Sequence, residues 1–145
     1  MMKLYEELLA NKVLIAAFVS FGIAQLLKFI IYSIVDKKLD FSKLIATGSM
    51  PSSHSALVMS LCVSYGISSG LSTPEFAISS VLALIVMHDA SNVRRSVGKQ
   101  AQLWNKMIKE RDFAAEKIKE ILGHTPLEVF AGAFLGAGIS ILICI

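Results

Sequence analysis

The sequence predicts an all-α integral membrane helical bundle with about four membrane segments and an interfacial amphipathic helical insertion. Three observations carry this. Of the 145 residues, 54% are hydrophobic and only 17% charged, and the mean hydropathy is +0.65. That balance is too apolar for an ordinary soluble domain. The apolar residues fall into four runs separated by polar turns. Between the third and fourth runs lies a charged stretch, 96–122, whose apolar positions recur at helical spacing. The length fits one domain over 1–145. Cys62 and Cys144 both lie inside apolar runs and read as small hydrophobes, not as a disulfide framework. With three histidines and no cysteine cluster there is no zinc pattern, and neither metal nor cofactor is expected.

Residues 1–12 set Leu4, Leu8 and Leu9 against Lys3, Glu6 and Glu7 and read as an interfacial helix leading into the membrane. Val13 to Val35 is the first span, and without a small-residue cleavage pattern it reads as an anchor, not a signal peptide. Gln25 and Lys28 interrupt it. A lysine inside a span has two readings, a functional cation or a side chain that snorkels to the interface near Asp36. Residues 36–50 form a basic connection with Lys37, Lys38 and Lys43.

The second apolar run, Ser55 to Leu71, is entered through Gly48-Ser49-Met50-Pro51-Ser52-Ser53-His54-Ser55. Proline suits the first turn of a helix, where its missing N–H would have no partner. Free amides and the positive end of the dipole at such a start suit an anion, and His54 can give or take a proton beside it. The plainer reading is a serine-capped helix with a polar histidine. A return loop over 69–74 leads to the third run, Glu75 to Met87, which is expected to continue as one helix through His88, Asp89, Arg94 and Arg95 out of the membrane.

In 96–122, Leu103, Trp104, Met107, Ile108, Ala115, Ile118 and Leu122 share helical spacing among charged residues. This fits an amphipathic helix, or two, at the interface with Trp104 as anchor; a soluble hairpin packed on the bundle end is the alternative. The last run, Leu127 to Ile145, opens with Gly123-His124-Thr125-Pro126-Leu127-Glu128. Thr125 fits an N-cap, Pro126 the first helical position and Glu128 the third, which makes a capping box. The box explains Thr125 and Glu128 but not His124. Gly132 and Gly136 form a small-xxx-small pattern that reads as ordinary helix packing.

Four alternating segments bring the starts of the second and fourth to the same side as the ends of the first and third. That rim receives Lys28, His54, Asp89, Arg94, Arg95 and His124. Arg94 shares a helix face with Ala90, Gly98 and Ala101, all small, and is expected to point inward as a phosphate ligand. Arg95 shares a face with Ser91, Lys99, Gln102 and Lys106 and would be a second ligand. The alternative for both is an arginine pair binding lipid headgroups at the membrane edge.

These residues resemble the type 2 phosphatidic acid phosphatase superfamily, which includes vanadium haloperoxidases, and most of all its small, divergent bacterial branch. Pro51-Ser52-Ser53-His54 is similar to its Pro-Ser-Gly-His. Gly123-His124-Thr125-Pro126-Leu127-Glu128-Val129, then Gly132, is similar to its Gly-His-x-Pro-x-Asp-Val-x-x-Gly. The stretch from Asp89 to Ala101 resembles a signature of the divergent branch. The resemblance implies His124 as the nucleophile that takes the phosphoryl group, Glu128 as the carboxylate that orients it, and His54 as the general acid. It also implies phosphate binding at Ser53, which stands at the family's glycine, at Ser52 through its hydroxyl, and at Lys28 as the first-motif lysine. The chain departs from the pattern in three places. No Arg-Pro follows Lys28, Ile118 stands where an arginine is expected six residues before the nucleophile, and Glu128 replaces aspartate. Arg94 fills the arginine's role if 96–122 is an insertion.

The function expected is a membrane phosphohydrolase acting on a lipid phosphate or isoprenyl pyrophosphate through a phosphohistidine. The rival is a catalytically silent membrane protein that binds anionic lipid or a protein partner. Partners on the first reading are a lipid phosphate substrate and membrane lipids, with no nucleic acid and with self-association left open. Lys37, Lys38, Lys43 and the cations from Arg94 to Lys119 all lie on the histidine side, against Lys3 and Lys12 opposite. The positive-inside rule then places the histidine rim in the cytoplasm.

Overall fold

The structure is a computed structural model and describes residues 2–37, 50–111, 116–118, 120 and 123–145. Among these residues there are six helices and no strand: α1 (Met2–Ala10), α2 (Lys12–Asp36), α3 (Ser53–Ser68), α4 (Pro74–Ser91), α5 (Val93–Arg111) and α6 (Pro126–Cys144). Lys38, Lys43, Gly48, Ser49, Ala115, Lys119 and Leu122, on which part of the sequence reading rests, lie outside the described residues.

α2 begins where the Asn11 side chain accepts the Leu14 amide at 3.1 Å. Its 25 residues extend about 37 Å at roughly 1.5 Å per residue, enough to cross a hydrocarbon layer of about 30 Å. Val13, Ala16, Ala17, Ser20, Ala24 and Lys28 are buried on one face. Phe18, Leu26, Ile30 and Ile34 are exposed on the rest, an apolar surface suited to hydrocarbon. Small residues on the inner face let neighbouring helices come close.

α4 is capped by Thr73 with Pro74 in the first turn. Gly70, at φ 97°, closes the preceding return loop in a backbone conformation that other residues adopt only at a cost. Hydrogen bonds continue past the end of α4, from the Asn92 amide to the His88 carbonyl and from the Ser96 amide to the Asn92 carbonyl. α4 and α5 therefore form the near-continuous helix expected to leave the membrane. α2, the run beginning at Pro74, and α6 are each long and apolar enough to cross a membrane.

α3 is different. Its 16 residues make about 24 Å, short of the roughly 30 Å hydrocarbon layer. It packs against α2, α4 and α6, and Ser53, Ser55, Ser60 and Ser64 are among its buried residues. A short helix with polar ends is tolerated at membrane depth when protein surrounds it. Its start corrects one expectation. Ser52 is the N-cap and accepts the Ser55 amide, so Pro51 lies outside the helix and His54 is the second helical residue. The cap falls to Ser52 because its hydroxyl can accept an amide and proline has no such group.

α3 and α6 run in the same direction and meet at every fourth residue. Gly132 lies against the Ser52 carbonyl and Gly136 against the Ala56 carbonyl, so closely that a Cβ at either would collide with the oxygen. One turn further, Ser140 Oγ donates to the Ser60 carbonyl at 2.8 Å. The small-xxx-small pattern thus does more than pack a helix: it sets the two helix starts side by side.

α5 buries Gly98, Ala101 and Ile108 and exposes Val97, Leu103, Trp104 and Met107, the amphipathic pattern of an interfacial helix. Residues 116–118 and 120 are not helical, so the predicted helical spacing does not extend to Ile118. The Ile118 amide donates to Asn105 Oδ1 at 2.9 Å and Asn105 Nδ2 donates to the Ile118 carbonyl at 2.8 Å. These bonds satisfy the Ile118 backbone groups and set residue 118 beside α5.

Candidate functional site

The start of α6 forms as its sequence directs. Thr125 caps it, the Glu128 amide donates to Thr125 Oγ1 at 3.4 Å, and the Thr125 amide donates to Glu128 Oε2 at 2.9 Å. The same oxygen lies 3.2 Å from His124 Nδ1. A carboxylate only accepts, so Nδ1 carries the proton and Nε2 keeps its lone pair. The side chain that completes the capping box therefore also orients His124. The methylene that distinguishes glutamate from aspartate does not prevent this contact.

His124 is 4% exposed, and its amide donates to the Ala90 carbonyl at 3.0 Å, in the last turn of α4 where carbonyls lack helical partners. Gly123 makes this approach feasible. A Cβ there would lie 2.6 Å from Arg94 C and from Arg95 Cα.

The start of α3 is joined to the same residue. The Ser52 amide donates to the Glu128 carbonyl at 3.0 Å, while Ser52 Oγ accepts from Ser55 Oγ at 2.9 Å. Glu128 thus holds His124 with its side chain and the α3 cap with its backbone. The amides of Ser53 and His54, the first two of α3, have no acceptor among the described residues, and neither does the Ser53 hydroxyl. His54 meets the Phe21 ring edge-on, with centroids 6.3 Å apart.

Lys28 is 1% exposed and donates to Gln25 Oε1 at 2.8 Å. This is not the geometry of a snorkelling lysine, which keeps its ammonium in water. Arg94 Nε donates to Asp89 Oδ2 at 2.7 Å, and its two Nη groups make no hydrogen bond among the described residues. Both partners are substantially exposed, so the pair adds little stability; its effect is to fix the guanidinium. Ala90, Gly98 and Ala101 on the Arg94 face are buried, but Arg94 itself is exposed and does not point inward as expected, because its guanidinium is drawn to Asp89. Arg95 is half-buried, beside exposed Lys99, Gln102 and Lys106.

Electrostatics ties these groups together. Arg94, His124 and Lys28 act on His54, Glu128 acts on Lys28, and Lys28 and Arg94 act on His124. The Arg95 backbone lies against Gly123. Burial holds the His124 pKa below the usual histidine value of 6.5; the Glu128 hydrogen bond and charge pull it back up, and Lys28 and Arg94 push it down. NMR of histidine-labelled protein in micelles is expected to show His124 titrating below 6.5. In Glu128→Gln, where glutamine still completes the cap, the midpoint should fall further. A midpoint that rises would contradict the assignment of Glu128.

The structure therefore brings Lys28, His54, Arg94, His124 and Glu128 together beside Ser52 and Ser53. Sequence reasoning missed Asp89, Gln25 and Phe21 as their partners. Phe21 and Gln25 precede Lys28 by seven and three residues, a same-face spacing that could have found them. Asp89 is five residues before Arg94, a spacing that does not place two residues side by side on a helix face. Among the described residues no group of three or more His, Cys, Asp or Glu could hold a metal ion.

Residues 9–139 match the model of a family described as the divergent PAP2 family. The chain belongs to the divergent PAP2 family. The match takes in every residue of the cluster, from Phe21 to Gly132. An uncharacterized membrane protein of Bacillus subtilis (strain 168), YuiD, is 42% identical over an alignment that covers 90% of this chain and 92% of the relative. No solved structure matches. This divergent PAP2 protein is thus a membrane protein in which a buried histidine–glutamate pair and a second histidine share one rim.

Proposed function

We propose that the protein is a membrane phosphohydrolase that removes phosphate from a lipid phosphate or isoprenyl pyrophosphate. The observation that carries this is Glu128 Oε2, bonded to His124 Nδ1 in a helix start tied to that of His54. The phosphate sits against the free Ser53 and His54 amides and the Ser53 hydroxyl, with Lys28 and Arg94 balancing its charge. Ser52 acts by capping the helix that presents those amides. His124 Nε2 attacks phosphorus, the bond to the leaving oxygen breaks, and His54 gives that oxygen its proton. Water then attacks the phosphohistidine, His54 takes a proton from it, and phosphate leaves. Purified protein, with chelator present, is expected to release phosphate from phosphatidic acid or an isoprenyl pyrophosphate. Binding of anionic lipid without turnover of any such ester would favour the silent lipid-binding reading.

The cation count favours a cytoplasmic histidine rim. Lys37, Arg94, Arg95, Lys99, Lys106, Lys109 and Lys117 lie on that side, against Lys3 and Lys12 on the other, and the excess survives removal of the arginine ligands. The test uses Lys37→Cys and Ser72→Cys, each in a background without Cys62 and Cys144. An impermeant thiol reagent applied to intact cells should label position 72 and spare position 37. The opposite pattern reverses the orientation.

A further inference from the structure

α4 has 18 residues and rises about 27 Å, close to the roughly 30 Å of a hydrocarbon layer, so α5 begins near the level of the headgroups. The ladder between the two helices is interrupted. Backbone bonds run from the Asn92 amide to the His88 carbonyl and from the Ser96 amide to the Asn92 carbonyl, while the Ala90 carbonyl takes the His124 amide in place of a helical partner. The amides of Val93, Arg94 and Arg95 have no backbone acceptor among the described residues. Asn92, at φ −112° and ψ −67°, departs from the helical values of about −63° and −42°. A break of this kind lets a helix change direction.

α5 has three sides of different chemistry. Gly98, Ala101 and Ile108 are buried on the first, and the chain itself lies there: Asn105, on that side by spacing, holds Ile118, and Gly123 meets the backbone of Arg94 and Arg95. Lys99, Lys106 and Lys109 share the second side and are exposed. Val97, Leu103, Trp104 and Met107 form the third, each between 45% and 63% exposed. Among the described residues no helix other than α4 lies against α5.

We propose that the exposed apolar side of α5 docks on an anionic lipid leaflet, with Lys99, Lys106 and Lys109 beside it at the level of the lipid phosphates. Two observations select this occupant. The surface continues directly from a membrane-crossing helix and starts at headgroup depth, so a leaflet is within its reach. It is also cationic, since Glu110 is the only acid of the helix and already pairs with Lys106 at 3.7 Å. A second copy of the same surface would bring like charges together, whereas an apolar strip beside lysines is the pattern that binds anionic lipid surfaces. The surface is separate from the phosphate cluster and does not depend on the hydrolase reading.

Trp104 is the sole tryptophan of the chain, so its fluorescence reports α5 alone. The full chain is reconstituted at low density in vesicles of phosphatidylcholine, with or without phosphatidylglycerol, in which part of the phosphatidylcholine is brominated near the headgroup end of its chains. With phosphatidylglycerol present, bromine should quench Trp104 several-fold more strongly, and aqueous acrylamide should quench it less. Replacing Lys99, Lys106 and Lys109 together with glutamine should remove the difference between the two lipid mixtures, with helicity as the control for folding. Leu103→Ser with Met107→Ser should weaken bromine quenching in both. Equal bromine quenching in the two mixtures overturns the anionic selectivity, and strong acrylamide quenching in both shows α5 standing clear of the bilayer. Protection from acrylamide that grows with protein density and not with phosphatidylglycerol would assign the surface to a second copy and overturn the proposal.

Discussion

Replacing His124 with alanine is expected to abolish phosphate release, lowering kcat by a factor of about 10⁴ or more, because the attacking atom is gone. The fold should survive. Thr125, Pro126 and Glu128 still start α6, and the amide of residue 124 can still donate to the Ala90 carbonyl. Helicity and melting behaviour in micelles are the controls that separate loss of chemistry from loss of structure. His54→Ala should act differently. As general acid its removal costs about 10²–10⁴, and the loss should shrink for p-nitrophenyl phosphate, whose leaving group departs without a proton. Full activity in His124→Ala would eliminate the phosphohistidine route. Equal losses on all esters in His54→Ala would remove His54 from the role of acid.

Gly132→Ala is the second change expected to have a large effect. Its Cβ would run into the Ser52 carbonyl, so α6 must move away from the start of α3. Overpacking of this kind costs about 1–3 kcal/mol. Here it also strains the bond from the Ser52 amide to the Glu128 carbonyl, which aligns the two histidine-bearing helix starts. Gly136→Ala meets the Ala56 carbonyl in the same way one turn further along, and Gly138→Ala meets nothing within 4 Å. Thermal unfolding in micelles should place both Gly132→Ala and Gly136→Ala below the unsubstituted protein and Gly138→Ala near it. Activity should fall most in Gly132→Ala. A stable, fully active Gly132→Ala would mean that the close approach is not needed to build the site.

Much of this arrangement was legible in the sequence, for local reasons. A capping box is a local code, and Thr125, Pro126 and Glu128 take the positions their spacing assigns. Ala90 at the end of α4 and Gly98 and Ala101 in α5 are buried as their helical spacing indicates, although Arg94 on the same face is exposed. The relation between His124 and Glu128 was only half legible: the box accounted for the glutamate, and nothing local indicated that one oxygen would serve both the cap and the histidine. The central place of α3 was hidden, because apolar composition does not distinguish a helix surrounded by lipid from one surrounded by helices. Its serines were the available signal, since four hydroxyls at buried positions fit protein neighbours better than hydrocarbon. The Asn105 clamp on Ile118 joins residues thirteen apart through side-chain bonds, and no periodicity anticipates that.

The central claim is that two helix starts form one phosphate site around His54 and His124. Vanadate binding to the purified protein measures this most directly, because vanadate takes up the geometry of the phosphoryl group in transfer and needs no knowledge of the lipid. Saturable binding of one vanadate per chain is expected, lost in His54→Ala and in His124→Ala and weakened in Arg94→Met. Binding that persists unchanged in both histidine variants, or no binding to the unsubstituted protein, would contradict it.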